Sequence, residues 1–162
     1  MEISGKTAIV TGAASGSFNL NGDTITFKAG RRGQGLYLNA GSGGDITIQG
    51  SVGVGTALER LFIVNARNVI VNGKIVLSGD FIQQSGQGSS EFKQDVTAGR
   101  EANIDANGSI TFGGAVQSDH GDVTLRVNKN NASGLIAVNS VRVLAGDLTI
   151  TEARNATFQA GV

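Results

Sequence analysis

Gly44-Asp45-Ile46-Thr47-Ile48-Gln49-Gly50-Ser51-Val52 is the stretch on which the fold reading turns. Side chains along a strand point alternately to opposite faces, so Ile46 and Ile48 share one face and Thr47 takes the other. Gly44-Asp45 punctuates the start, because glycine tolerates positive φ and an Asp carboxylate bonds its own backbone. The phrase returns as Gly22-Asp23-Thr24-Ile25-Thr26-Phe27, Gly108-Ser109-Ile110-Thr111-Phe112, Gly121-Asp122-Val123-Thr124-Leu125 and Gly146-Asp147-Leu148-Thr149-Ile150. Looser copies are Gly73-Lys74-Ile75-Val76-Leu77 and Gly79-Asp80-Phe81-Ile82. The intervals between copies are uneven, which suits the strand-and-turn units of a solenoid with loop insertions better than a strict array.

Composition agrees with a repetitive β chain. The 162 residues are 40% hydrophobic and include 25 Gly but no Pro, Cys or Trp. Charged residues make up 16%, against an average of roughly 25%. Thirteen basic and thirteen acidic residues cancel, and no basic cluster exceeds Arg31-Arg32. That excludes the electrostatic footprint of a nucleic-acid binder and of a polybasic membrane-surface protein. No apolar run approaches the roughly 18 residues of a membrane helix, so membrane insertion is not expected. The opening residues lack a basic region followed by an apolar one, so an export signal, if used, is expected outside this sequence. The last residues, Ala156 to Val162, still read as strand and turn, and the chain is expected to be a fragment of a longer repetitive protein.

The expected fold is all-β: a single-stranded parallel β-helix (β-solenoid) forming one domain over residues 1-162, with 1-17 as an atypical N-terminal strand or cap. Asn21-Gly22, Asn72-Gly73 and Asn107-Gly108 are also hairpin signals, so an antiparallel β-sandwich is the structural competitor. Short strands, small residues and few aromatics favour the thin interior of a solenoid coil.

Residues 58–77 break the clean alternation, with Leu61-Phe62-Ile63-Val64, Val69-Ile70-Val71 and Ile75-Val76-Leu77 apolar on both faces. The expectation is a second layer, loop or short helix lying on the solenoid, with one helical turn available at Thr56 to Leu61. The sharper reading is a contact surface for another copy or a partner, with Phe62, Val64, Ile70 and Val76 as interface candidates. Self-association through the solenoid ends or the 61-77 region follows from unpaired strand edges and exposed apolar surface.

Two motifs carry chemical suggestions. Lys6-Thr7-Ala8-Ile9-Val10-Thr11-Gly12-Ala13-Ala14-Ser15-Gly16 resembles the first strand and Gly-rich turn of short-chain dehydrogenases. That resemblance implies a dinucleotide pyrophosphate held at a helix N-terminus, with Gly12 and Gly16 as the cofactor-binding candidates. The family's third Gly is replaced by Phe18, the residues from Phe18 read as strand and turn, and Tyr37 has Gly41 where the family has Lys. Asp119, His120 and Asp122 are the metal-ligand candidates, with exposed turn formers as the alternative reading. Neither motif leads to an expected cofactor. Nucleophilic catalysis lacks a Cys and a Gly-x-Ser-x-Gly elbow, and His120 is the one imidazole available as a base.

From Gly22 onward the chain resembles the repeat region of large bacterial surface adhesins of the filamentous-haemagglutinin type. Residues 44 to 52 and Gly108-Ser109-Ile110-Thr111-Phe112-Gly113-Gly114-Ala115-Val116 carry the likeness. It implies a right-handed parallel β-helix, secretion to the bacterial cell surface, and a stalk or adhesive role toward a host or cell-surface ligand. The expected function is therefore structural and adhesive, without catalysis. The competing class is an enzyme, either a nucleotide-binding oxidoreductase-like protein or a carbohydrate-active β-helix with carboxylates paired across coils.

Overall fold

A computed structural model describes residues 35–55, 57–127 and 134–159 in full, together with the strand backbones of 2–4, 8–11, 18–20 and 24–28. The strands follow one another as coils. β1 (Glu2–Ser4) leads into β2 (Ala8–Thr11), β3 (Phe18–Leu20) and β4 (Thr24–Lys28). The next coil is β5 (Gly35–Asn39), β6 (Ile46–Ile48) and β7 (Ser51–Val52), and after it come β8 (Arg60–Asn65), β9 (Val69–Val71) and β10 (Ile75–Val76). Then follow β11 (Phe81–Gln83), β12 (Ser90–Phe92) and β13 (Val96–Ala98). β14 (Ala102–Ala106) precedes β15 (Ile110–Ser118), and β16 (Val123–Val127) precedes β17 (Leu135–Val143), before β18 (Leu148–Thr151) and β19 (Asn155–Phe158) end the series.

Every strand pairs in parallel with its counterpart one coil away, giving a β-solenoid of about six turns. The antiparallel sandwich is thereby excluded. The first column is the seven-stranded sheet β2-β5-β8-β11-β14-β16-β18. The second runs through β3, β6, β9, β12, the first half of β15, the first half of β17, and β19. The third runs through β1, β4, β7, β10, β13 and the second halves of β15 and β17. β15 and β17 continue round one corner without interruption, and a register irregularity between Phe112 and Ala115 marks the bend. The Asn-Gly pairs at 72–73 and 107–108 sit at corners between columns rather than in hairpins.

The recurring phrase marks a strand, not a coil. Its copies open β6 and β15 in the second column, β16 and β18 in the first, and β10 in the third. That is why the phrase intervals look uneven while side chains joined across coils lie 20 or 21 residues apart in the middle of the chain. The step widens to 23 residues at Gln49–Asn72 and 25 at Asp122–Asp147.

Alternation sends one set of side chains inward. Leu36, Leu61, Phe81, Ala102 and Val123 stack along the first column, Ile46, Val69, Ile110 and Ile136 along the second, and Val52, Ile75, Val96 and Val116 along the third. All are buried and belong to one continuous cluster. Each fully buried Leu, Ile, Val or Phe contributes about 1.5–3 kcal/mol. Phe92 is the pivot of the interior. Its ring lies 4.8 Å from that of Phe112, stacked, and 5.4 Å from that of Phe81, edge on. The buried amide of Gln83 donates to Ser90 Oγ at 2.7 Å and to the Asp105 carbonyl at 2.9 Å, so burial of this polar side chain is compensated.

The glycines of the phrase work differently from the sequence expectation. Of the described phrase-opening glycines, only Gly146 has positive φ, at 154°. A Cβ on Gly73 would instead come within 2.4 Å of the Gly50 backbone in the preceding coil. Glycine is required there by close axial stacking.

Residues 58–77 are not a second layer. They form an ordinary coil, β8, β9 and β10, with Leu58 bridged in parallel to Leu77, and no helical turn occurs at 57–61. Leu61, Ile63, Val69, Val71 and Ile75 point inward. The outward Phe62 is half-buried because its register neighbours, Tyr37 and Ile82, cover it along the axis. The Tyr37 and Phe62 rings stack at 5.6 Å. An apolar outward side chain here reflects cover by adjacent coils, not by another layer.

Candidate functional site

Because coils stack in register, a charge on one coil meets whatever lies one step along the axis. Asp80 is the clearest case. Arg60 of the coil before donates to Asp80 Oδ2 from Nη2 at 2.8 Å. Arg100 of the coil after donates from Nε to Oδ1 at 3.0 Å and from Nη2 to Oδ2 at 3.1 Å. Burial opposes ionisation of Asp80, but the two guanidiniums outweigh it and hold the carboxyl below its usual range. Asp45 is likewise lowered, chiefly by hydrogen bonding from Arg67, whose Nε lies 2.9 Å from Oδ1. Asp95 is lowered by Lys74 and by the Ala115 amide. These pairs clamp one coil to the next.

The sequence-derived candidates disperse. Phe62 and Val64 point outward from the first column, Ile70 from the second and Val76 from the third. The four encircle one coil and do not form a single patch. Asp119, His120 and Asp122 lie at the corner between β15 and β16. Asp119 accepts from Gln117 Nε2 at 2.6 Å, Asp122 Oδ1 accepts from the Asp147 amide at 2.9 Å, and His120 is exposed. Among the described residues no three His, Cys, Asp or Glu side chains converge as a metal-ligand set. Gly12 and Gly16 lie outside the described residues. The strand before them, β2, belongs to the solenoid, and the residues Phe18–Leu20 after them are strand, as the sequence reading expects.

A concave feature among the described residues lies elsewhere. A groove of about 360 Å³ runs along the corner between the first and second columns. Asp105, Arg126 and Glu152 line it together with Gln84, Ser85, Gln87 and Asn107. Three of these positions form one axial ladder: the pairing Gln83–Ile104 places Gln84 beside Asp105, and Asp105 pairs with Arg126. Arg126 Nη2 donates to Asp105 Oδ2, and the Arg126 guanidinium is held above its ordinary range first by that carboxylate and also by the charge of Glu152. Asn107 Nδ2 donates to Gln87 Oε1 at 3.2 Å. Glu152 has φ of 59° and is the one non-glycine residue with positive φ among those described. The sequence reading missed the groove, although Gln84, Asp105 and Arg126 recur at the coil step of the chain.

No protein-family model matches the chain, and no curated protein or solved structure matches it either.

Proposed function

We propose that the chain is a structural and adhesive segment of a secreted or cell-surface β-helical protein, and that it works without catalysis. The observation supporting this is the axial organisation of its interactions. Core, backbone ladders and charge clamps all join one coil to the next, so the stability of the molecule is built along its axis. Its outward ladders in the later coils are short and polar, as in Asn103–Thr124–Thr149. Such a rod suits display. The likeness of 44–52 and 108–116 to adhesin repeats points the same way. β18 and β19 each pair on one side only among the described residues, which favours end-to-end contact with another copy.

The test is retention of protein-coated beads on cell monolayers, with beads carrying an unrelated rod-shaped β-solenoid as control. Selective retention supports adhesion. Equal retention of both bead types overturns it and leaves a structural spacer. Light scattering after size exclusion checks association, with mass rising with concentration as the expected result.

A further inference from the structure

We propose that the groove between the first and second columns binds an uncharged polyhydroxylated ligand, a segment of neutral oligosaccharide. This rests on the adhesive reading and gives it a site.

The lining selects the ligand class by elimination. Gln84 and Gln87 present exposed carboxamides, and Ser85 and Asn107, already bonded to Asn65 and Gln87, extend the same polar lining. Carboxamides and hydroxyls donate and accept at once and so match alcohol hydroxyls. An anion at Arg126 would lie beside the carboxylates of Asp105 and Glu152, whose like charge disfavours it. A divalent cation would find Asp105 already committed to Arg126 and no third acidic or imidazole group beside it among the described residues. An apolar ligand would find no aromatic or large aliphatic wall apart from Val127. The volume, about 360 Å³, falls within the range of small-ligand sites, roughly 300–1,000 Å³.

Geometry gives the ligand a direction. Gln84, Asp105 and Arg126 lie on successive coils, which repeat at about 4.8 Å along the axis. An extended oligomer lying along the corner would therefore meet a new polar side chain at each coil. The positive φ of Glu152 turns the chain where it lines the groove.

The test is an amide NMR titration of the whole chain with maltohexaose and, separately, cellohexaose at up to about 10 mM, a range suited to millimolar dissociation constants. The expected result is shifts confined to residues 84–87, 105–107, 126 and 152 with at least one of the two sugars. Gln87→Ala and Gln84→Ala, both at exposed positions, are each expected to weaken binding by about tenfold or more while leaving the rest of the spectrum unchanged. No shifts with either sugar, or shifts on another face, would overturn the proposal. Stronger shifts at these residues with inorganic phosphate than with either sugar would also overturn it, by assigning the groove to anions. Failure here with selective bead retention intact would remove the groove and leave adhesion standing. Loss of retention with binding intact would remove the adhesive reading instead.

Discussion

Two copies of one phrase sit side by side in this molecule and fare differently. Gly121-Asp122-Val123-Thr124-Leu125 opens β16, and Gly146-Asp147-Leu148-Thr149-Ile150 opens β18 directly beside it, with Val123 opposite Leu148 and Leu125 opposite Ile150. Val123 and Leu125 are completely buried, whereas Leu148 and Ile150 are half-exposed. β16 has strands on both sides, and β18 has one described neighbour. Near the same end, Leu144 is 52% exposed. Burial in a solenoid is supplied by the adjacent coils, so an identical local pattern carries a different energy at the middle and at the end.

The largest expected effect comes from the middle of the stack. Phe92→Ala removes the ring held between Phe81 and Phe112 and is expected to cost about 3–5 kcal/mol, read from the urea midpoint. A shift no larger than that of an end-coil substitution would show that the Phe stack is not the centre of stability.

The paired phrases give the sharpest contrast. Leu125→Ala should cost about 2–5 kcal/mol. Ile150→Ala, in the half-exposed position, should cost about half as much or less by the area argument. Equal costs measured at high protein concentration would mean that the end coil is covered by association in solution, and dilution below the association range would then separate the two values.

Charge clamping predicts a smaller, pH-dependent difference. Asp80 has a folded pKa below its unfolded value of about 3.9. Its stabilisation is therefore complete above that value and lost as pH falls through the folded pKa. Asp80→Asn should cost about 1–2 kcal/mol at pH 7, allowing for the partial exposure of Arg60 and Arg100. It should cost little near pH 2, where the native carboxyl is also neutral. A cost that does not change between the two pH values would contradict the clamp.

The smallest effect is expected from Lys74→Ala. Both Lys74 and Asp95 are about half exposed, and loss of the pair should cost about 0.2–1 kcal/mol, shrinking further at high salt. Amide exchange would complete the comparison, with β14 protected well beyond β18 and β19.

How much of this was legible beforehand depends on the range of the signal. Period-2 alternation in Ile46-Thr47-Ile48 or Val123-Thr124-Leu125 is a property of adjacent residues, and it correctly placed both strands and their inward faces. The stretch 58–77 misled because an outward Phe62 or Ile70 looks like a residue needing a second layer, when register neighbours already half-cover it. The clamps Arg60–Asp80–Arg100 and the groove ladder Gln84–Asp105–Arg126 are written at 20- and 21-residue steps. They stayed hidden because the phrase marks strands in all three columns and so obscures the coil step.

The sequence by itself determined that this chain is all-β, that its strands are short, and which side chains of the recurring phrase face inward, because these follow from alternation between neighbouring residues. The parallel stacking that excludes a sandwich came from the structure. Only the tertiary structure decided which residues meet across coils. Corner loops of different length set the register, and register alone decides that Asp80 lies between two arginines while Asp105, Arg126 and Glu152 share a groove.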